Sequence, residues 1–196
     1  AFKQFYDASK EGAELEYTRT RFDNLAESIG AVSSLLLNDM REATSGMISD
    51  AELVSSATDF MALGLAKSHD EVVRLANVSG ALGMNMNQLV LTLTNQTTMR
   101  FDALGVSVDG FQEKVNNLKA AGMDANDAFK EAFLQQAEDQ IKKVGSAADS
   151  AVGDFKRLEA AQKNYFDSLK LSLTDATSGW NIFWTDFFSI ADDRLR

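Results

Sequence analysis

Proline does not occur anywhere in this chain of 196 residues, where average usage of about 5% would supply roughly ten. Nothing in the sequence therefore breaks a helix by removing an amide donor, and long uninterrupted helices are permitted throughout. Cysteine is absent as well, which excludes a disulfide framework, a thiolate metal site and a cysteine nucleophile, and leaves the redox compartment unmarked. His69 is the only histidine. Acid–base or metal chemistry would thus rest on carboxylates and lysines alone, an unusual set for a hydrolase, so the expectation is a protein that is no enzyme and holds no cofactor or metal.

Positive charge is also in deficit, with 19 Lys and Arg against 29 Asp and Glu and a formal net charge of −10. Proteins that grip a phosphate backbone concentrate cations to release its counterions, so no specific nucleic-acid binding is expected. No basic segment followed by an apolar core opens the chain, and no apolar run reaches the ~18 residues that a membrane span needs. Neither a signal peptide nor a spanning helix is expected. Opening on Ala1 rather than Met suggests a processed chain or a fragment.

What the sequence has in abundance is helical periodicity. Leu15, Thr18, Phe22, Leu25, Ile29, Val32 and Leu36 step by three and four, and Met40, Ala43 and Met47 continue the seam. Gly30 interrupts it at a helix-interior cost of about 1 kcal/mol. Either one long helix or two joined near Ser28–Gly30 fits, and the long helix is the expectation. Three capping boxes follow, Ser49–Glu52, Ser68–Glu71 and Asn85–Gln88, each a short polar side chain with a Glu or Gln three residues on. They introduce helices Leu53 to Leu65, Val72 to Leu82 and Leu89 to Met99. Asp109–Gln112 repeats the pattern before Val115 and Leu118, and Asp124 opens a run through Phe129, Phe133 and Ile141. Gly64, Gly83, Gly105, Gly122 and Gly145 stand near the ends of these runs, where a left-handed residue is wanted, and are read as structural turns.

The last segment begins at Ser146 and carries Val152, Phe155, Leu158, Ala161, Tyr165, Leu169 and Leu173 on one side of a long helix. After Gly179, the residues Trp180, Phe183, Trp184, Phe187 and Phe188 fall at i, i+3, i+4, i+7 and i+8, a wide aromatic stripe. Packing on the chain's own helices is the leading reading of that stripe. The alternative is an exposed docking patch for a protein partner, or for a membrane interface. The expected fold is all-α: a multi-helix bundle of short capped helices flanked by longer N- and C-terminal helices. It divides into residues 1–48 as a long helical segment, 49–145 as a compact helical domain, and 146–196 as a long helix plus the aromatic amphipathic helix.

Three stretches invite chemistry and are better read as structure. Gly105-Val106-Ser107-Val108-Asp109-Gly110 lacks the lysine of a phosphate loop and the third glycine of a dinucleotide loop. A helix ending at Leu104, capped by Gly105 and linked to the Asp109 cap, explains it. His69 lies between Ser68 and Asp70, yet adjacent residues cannot converge on one substrate as a triad does. Asp124-Ala125-Asn126-Asp127 faintly resembles a calcium loop, but Phe129 and Gln135 stand where that loop needs Gly and Glu; a helix cap suffices.

Taken in order, D-A-E-L with F-M-A-L-G-L, S-H-D-E-V-V-R-L-A, G-A-L-G-M-N-M-N-Q-L, M-R-F-D-A-L-G-V, F-Q-E-K-V and A-F-L-Q-Q-A make residues 49–143 resemble the helical domain of phage tail tape measure proteins. The leucine–glycine–aliphatic turn of such proteins corresponds to Leu104, Gly105 and Val106, and their downstream helix to Ala132, Phe133 and Leu134. The resemblance implies a structural role in a virion: tail length determination, tail assembly and genome ejection, after assembly in the host cytoplasm. It implies tail tube or tail tip proteins as partners, together with self-association as a trimer or hexamer. It allows membrane contact on ejection; the alternative function, from another class, is a membrane-active helical protein, an ejection channel or toxin-like, that uses the Trp180–Phe188 helix. A continuous helix of this length would measure about 290 Å, so helices punctuated by glycine point to a compact module of a longer protein rather than to the rod.

Overall fold

The computed structural model describes the backbone of residues 2–194 and the side chains of residues 3 and 6–175. It is built of helices: α1 (Phe2–Ser28), α2 (Ser33–Ala43), α3 (Asp50–Ala62), α4 (His69–Leu82), α5 (Met86–Asn95), α6 (Phe111–Ala120), α7 (Ala125–Val144) and α8 (Ala151–Arg194). A single 3₁₀ turn, Ala147–Asp149, precedes α8. Among the described residues there is no strand; the fold is all-α, short helices flanked by longer ones.

Residues 1–48 do not form the single long helix expected of them. Gly30 adopts φ +74°, and the Ala31 amide donates back to the Ala26 carbonyl at 2.8 Å, closing α1 one turn after Ser28. The turn lets Phe22 and Ala26 of α1, and Leu36 and Met40 of α2, reach one core from two directions; all four are buried. A straight helix would have carried the second pair away. At the other end the expectation fails in the opposite sense, because α8 runs without a break through Gly179 to Arg194. A helix-interior glycine costs only about 1 kcal/mol, which 44 residues of helix can carry.

One core, drawn from α1 to α7 and the links between them, holds the body together. Its centre is aromatic. Phe101 meets the rings of Phe111, Phe129 and Phe133 edge-on, with centroids 4.8, 6.2 and 5.1 Å apart. Edge-to-face pairs of this kind add about 0.5–1.5 kcal/mol each beyond burial. Phe22, Phe60, Phe101 and Phe133 have almost no exposed surface.

α8 contributes differently. Ala160 is its one buried apolar residue among those described, and it is fastened by small and polar groups. The Asn164 side-chain carbonyl accepts from the Asp50 amide at 2.8 Å, Thr174 Oγ1 donates to the Ser9 carbonyl at 3.0 Å, and Lys170 pairs with Glu11 at 3.0 Å. Gly12 makes the close approach possible: a Cβ there would fall on Thr174 Oγ1 and 2.5 Å from the Lys170 carbonyl oxygen. Positions rising along α1 meet positions falling along α8, so the two are antiparallel. Their lengths of 27 and 44 residues correspond to about 40 and 66 Å.

Candidate functional site

The five turn glycines lie at positive φ: Gly64 at +69°, Gly83 at +65°, Gly105 at +68°, Gly122 at +95° and Gly145 at +83°. Four of them close the same motif, in which the amide of the following residue donates to a carbonyl five residues back. The bonds are Leu65 to Phe60 at 2.8 Å, Met84 to Ser79 at 2.8 Å, Val106 to Phe101 at 2.8 Å and Met123 to Leu118 at 3.1 Å. At Gly64, Gly83 and Gly122 this is the Schellman arrangement, which satisfies the last helical carbonyls and folds an apolar residue back over the helix end; at Gly105 the same bond closes a turn outside any helix. After Gly83 and Gly122 the cap residue of the next helix stands two residues on. Asn85 Oδ1 accepts from the Gln88 amide, and Asp124 Oδ1 accepts from the amides of Asn126 and Asp127. Asp124 is thus engaged as a helix cap.

The Gly105 segment departs from its expected form. α5 ends at Asn95, short of Met99, with Gln96 left-handed at φ +50°. Residues 97–105 form turns, not the end of a helix. Asp109 does not cap α6; Gly110, at φ +72°, holds that position without a side-chain bond, while the Asp109 carbonyl accepts from Gln136 Nε2 at 2.8 Å. Leu104 and Val106 are buried on either side of the exposed Gly105, so the turn pins two apolar side chains into the core. The caps predicted at Ser49, Ser68 and Asn85 stand at helix starts. Ser49 makes no side-chain cap bond, and Glu71 reaches the Lys67 amide rather than that of Ser68.

Sequence reasoning missed the ionic ties between helices, whose partners are far apart in the chain. Arg74 of α4 forks onto Glu131 and Glu138 of α7, each at 2.6 Å, and these carboxylates hold the guanidinium above its usual pKa. Glu131 is correspondingly lowered, chiefly by Arg74, against desolvation. Lys67 meets Asp127 at 2.8 Å and, with burial opposing, holds its carboxyl at about 2. Buried Lys130 lies between Glu71 at 3.4 Å and Asp127 at 3.3 Å. Arg41 ties α2 to the start of α3 through both oxygens of Asp50.

His69 opens α4, and its Nε2 lies 2.7 Å from Asp39 Oδ2 on α2. The pair borders an open groove of about 480 Å³ with Glu42, Asp70, Arg74 and Asn77. Charged and hydrogen-bonding side chains dominate that groove, with Ala43 and Val73 as its apolar members. Among the described residues no group of three or more His, Cys, Asp or Glu could hold a metal ion, and no helix is long and apolar enough to cross a membrane.

Trp180, Phe183, Trp184, Phe187 and Phe188, the residues expected to dock a partner, lie outside the described side chains. The apolar seam just before them is described, and it faces solvent. Phe155 is 74% exposed, Leu158 68% and Tyr165 63%, with Val152, Phe166 and Leu169 also open. Comparison with protein-family models, with curated proteins and with solved structures finds no match.

Proposed function

We propose that this chain is a structural module of a phage or prophage tail, a tape measure protein segment acting in tail assembly, length determination and genome ejection. One observation carries the reading. The segments through which the sequence resembles that family, ending in Leu104-Gly105-Val106 and Ala132-Phe133-Leu134, contribute Leu104, Val106, Ala132, Phe133 and Leu134 to one core around one recurrent glycine turn. The five motif-bearing side chains therefore serve a shared packing purpose. The acidic balance of −10 supports it too, since a protein that shares a channel with DNA gains from repelling it.

On this reading the body is a folded node in a longer assembly, with α1 and α8 as its arms. Tail tube or tip subunits are the expected partners, and the chain acts by shape and contact. Mass spectrometry of tails purified from the encoding phage or induced lysogen tests it. Peptides of this chain are expected at a fixed small number of copies per tail, and removal of residues 49–145 is expected to leave capsids without normal tails. Peptides abundant in the lysate but missing from purified tails would overturn the proposal.

A further inference from the structure

We infer that α8 is a self-association surface, on which a second copy of this chain docks antiparallel through the stripe Val152, Phe155, Leu158, Tyr165, Phe166 and Leu169. The inference rests on α8 alone and stands whether or not the chain is a tail protein.

Area is the first argument. These six side chains are all more than two-fifths exposed, and together they offer on the order of 600 Å² of apolar surface. That is at the upper end of the ~300–600 Å² patch found on an ordinary monomer and approaches the ~800 Å² per partner of a stable interface. The side of α8 opposite the stripe is already used, by Gly153, Ala160 and Asn164 against the body. The stripe is therefore the free face of a helix whose other face is taken.

Symmetry and charge select the occupant and its direction. With about 100° per residue, Gln162 marks the middle of the stripe. A two-fold axis at that level sets Phe155 against Leu169 of the second copy and Leu158 against its Phe166, so each phenylalanine ring meets a leucine on both halves, while Tyr165 lies at the level of the second copy's Glu159. Glu159 and Lys163, 3.0 Å apart within one helix, lie on the same flank of the stripe, and Asp154 lies on the other. Antiparallel docking brings like flanks together. Glu159 then falls within a turn of the second copy's Lys163, and the reverse, giving an alternating ring of four charges. Parallel docking would face the Glu159 flank with the Asp154 flank, where Asp154 is already paired with Arg157 at 2.6 Å, and would give up the reciprocal Glu159–Lys163 ring. The stripe is isologous, meeting itself as a two-fold interface requires.

Sedimentation equilibrium of the full chain at neutral pH is expected to show a monomer–dimer equilibrium. Replacing Phe155→Ser together with Leu158→Ser is expected to weaken it at least tenfold while helicity by circular dichroism stays unchanged, since both residues are exposed. If that variant loses helicity, the charge cycle decides: Lys163→Glu alone is expected to weaken association at low salt, and adding Glu159→Lys to restore it. Because the chain has no cysteine, direction can be read by oxidation of single-cysteine variants. Gln162→Cys is expected to give a disulfide dimer. Phe155→Cys is expected to give none, as the two sites lie about 21 Å apart along the pair. A monomer at all concentrations, a trimer, association untouched by the serine pair, or ready dimerisation through Phe155→Cys would each overturn the inference.

Discussion

Replacing Gly105 by alanine isolates the contribution of backbone conformation from that of packing. No atom lies within 4 Å of where a Cβ would stand, so alanine adds no clash, and the only penalty comes from φ of +68°. An L-residue in the left-handed region costs about 1–2 kcal/mol. Alanine also restricts the unfolded chain, which returns about 0.4–1 kcal/mol. The net expectation is a loss of about 1 kcal/mol, or roughly 2–4 °C in melting temperature for a chain of this size. Asparagine, which tolerates this region, should lose about half as much, and valine clearly more. Urea unfolding followed by circular dichroism at constant slope measures all three. Gly153→Ala supplies the contrast: it sits in a helix, where alanine is favoured by about 1 kcal/mol, yet its Cβ would lie 2.7 Å from the Ala147 and Ala148 carbonyl oxygens. It is expected to destabilise by clash instead. An unchanged or raised midpoint for Gly105→Ala would refute the claim that this turn requires a left-handed residue.

Further outcomes follow from the same geometry. Phe133→Ala removes a fully buried ring that meets Phe101 edge-on and is expected to cost about 3–5 kcal/mol in urea unfolding, against less than about 1.5 for Phe133→Leu with repacking. Asp127 is depressed to about 2 by Lys67 and Glu131 is depressed by Arg74; carboxyls bound more tightly to protons when unfolded give stability that is full above pH ~5 and lost as pH falls toward 2. Because Lys67 is 59% exposed, screening limits the Asp127 share to on the order of 1 kcal/mol, and Asp127→Asn should flatten the acid limb of a stability–pH curve. Gly12→Val is expected to separate α1 from α8, seen as faster proteolysis within these two helices while the urea transition of the body persists. Trp184→Asp with Phe187→Asp tests the aromatic stripe: dye release from liposomes by the parent and its loss in the variant would favour membrane action over docking on protein.

Local grammar was legible wherever the forces involved span four or five residues. Gly64, Gly83, Gly105 and Gly122 could be placed at turns because a left-handed cap tolerates almost no other residue, and Asn85 and Asp124 because a short polar side chain reaches the next free amide. The same local view failed at Gly30 and Gly179. Each costs a helix about the same, yet Gly30 turns and Gly179 does not; Phe22 and Met40 sharing a core decides the first, and no window of local sequence contains that fact. Asp109 looked like a cap until Gln136, 27 residues away, engaged its carbonyl. Arg74 with Glu131 and Glu138, and His69 with Asp39, were invisible for the same reason. In α8, periodicity found the face from Val152 to Leu169 but could not say that it looks outward, since a seam in sequence specifies that side chains align and not what covers them.

The antiparallel course of α1 beside α8 has a mechanical meaning. Tension drawn on residues 2 and 194 would separate Ser9 from Thr174 before Glu11 from Lys170, and both before the Asn164 bond to Asp50, one fastening at a time. Such a pair opens like a zip at low force, whereas parallel arms pulled apart lengthwise must break all their ties together. The molecule could pay out length from its arms while its aromatic centre, off the line of pull, stays folded.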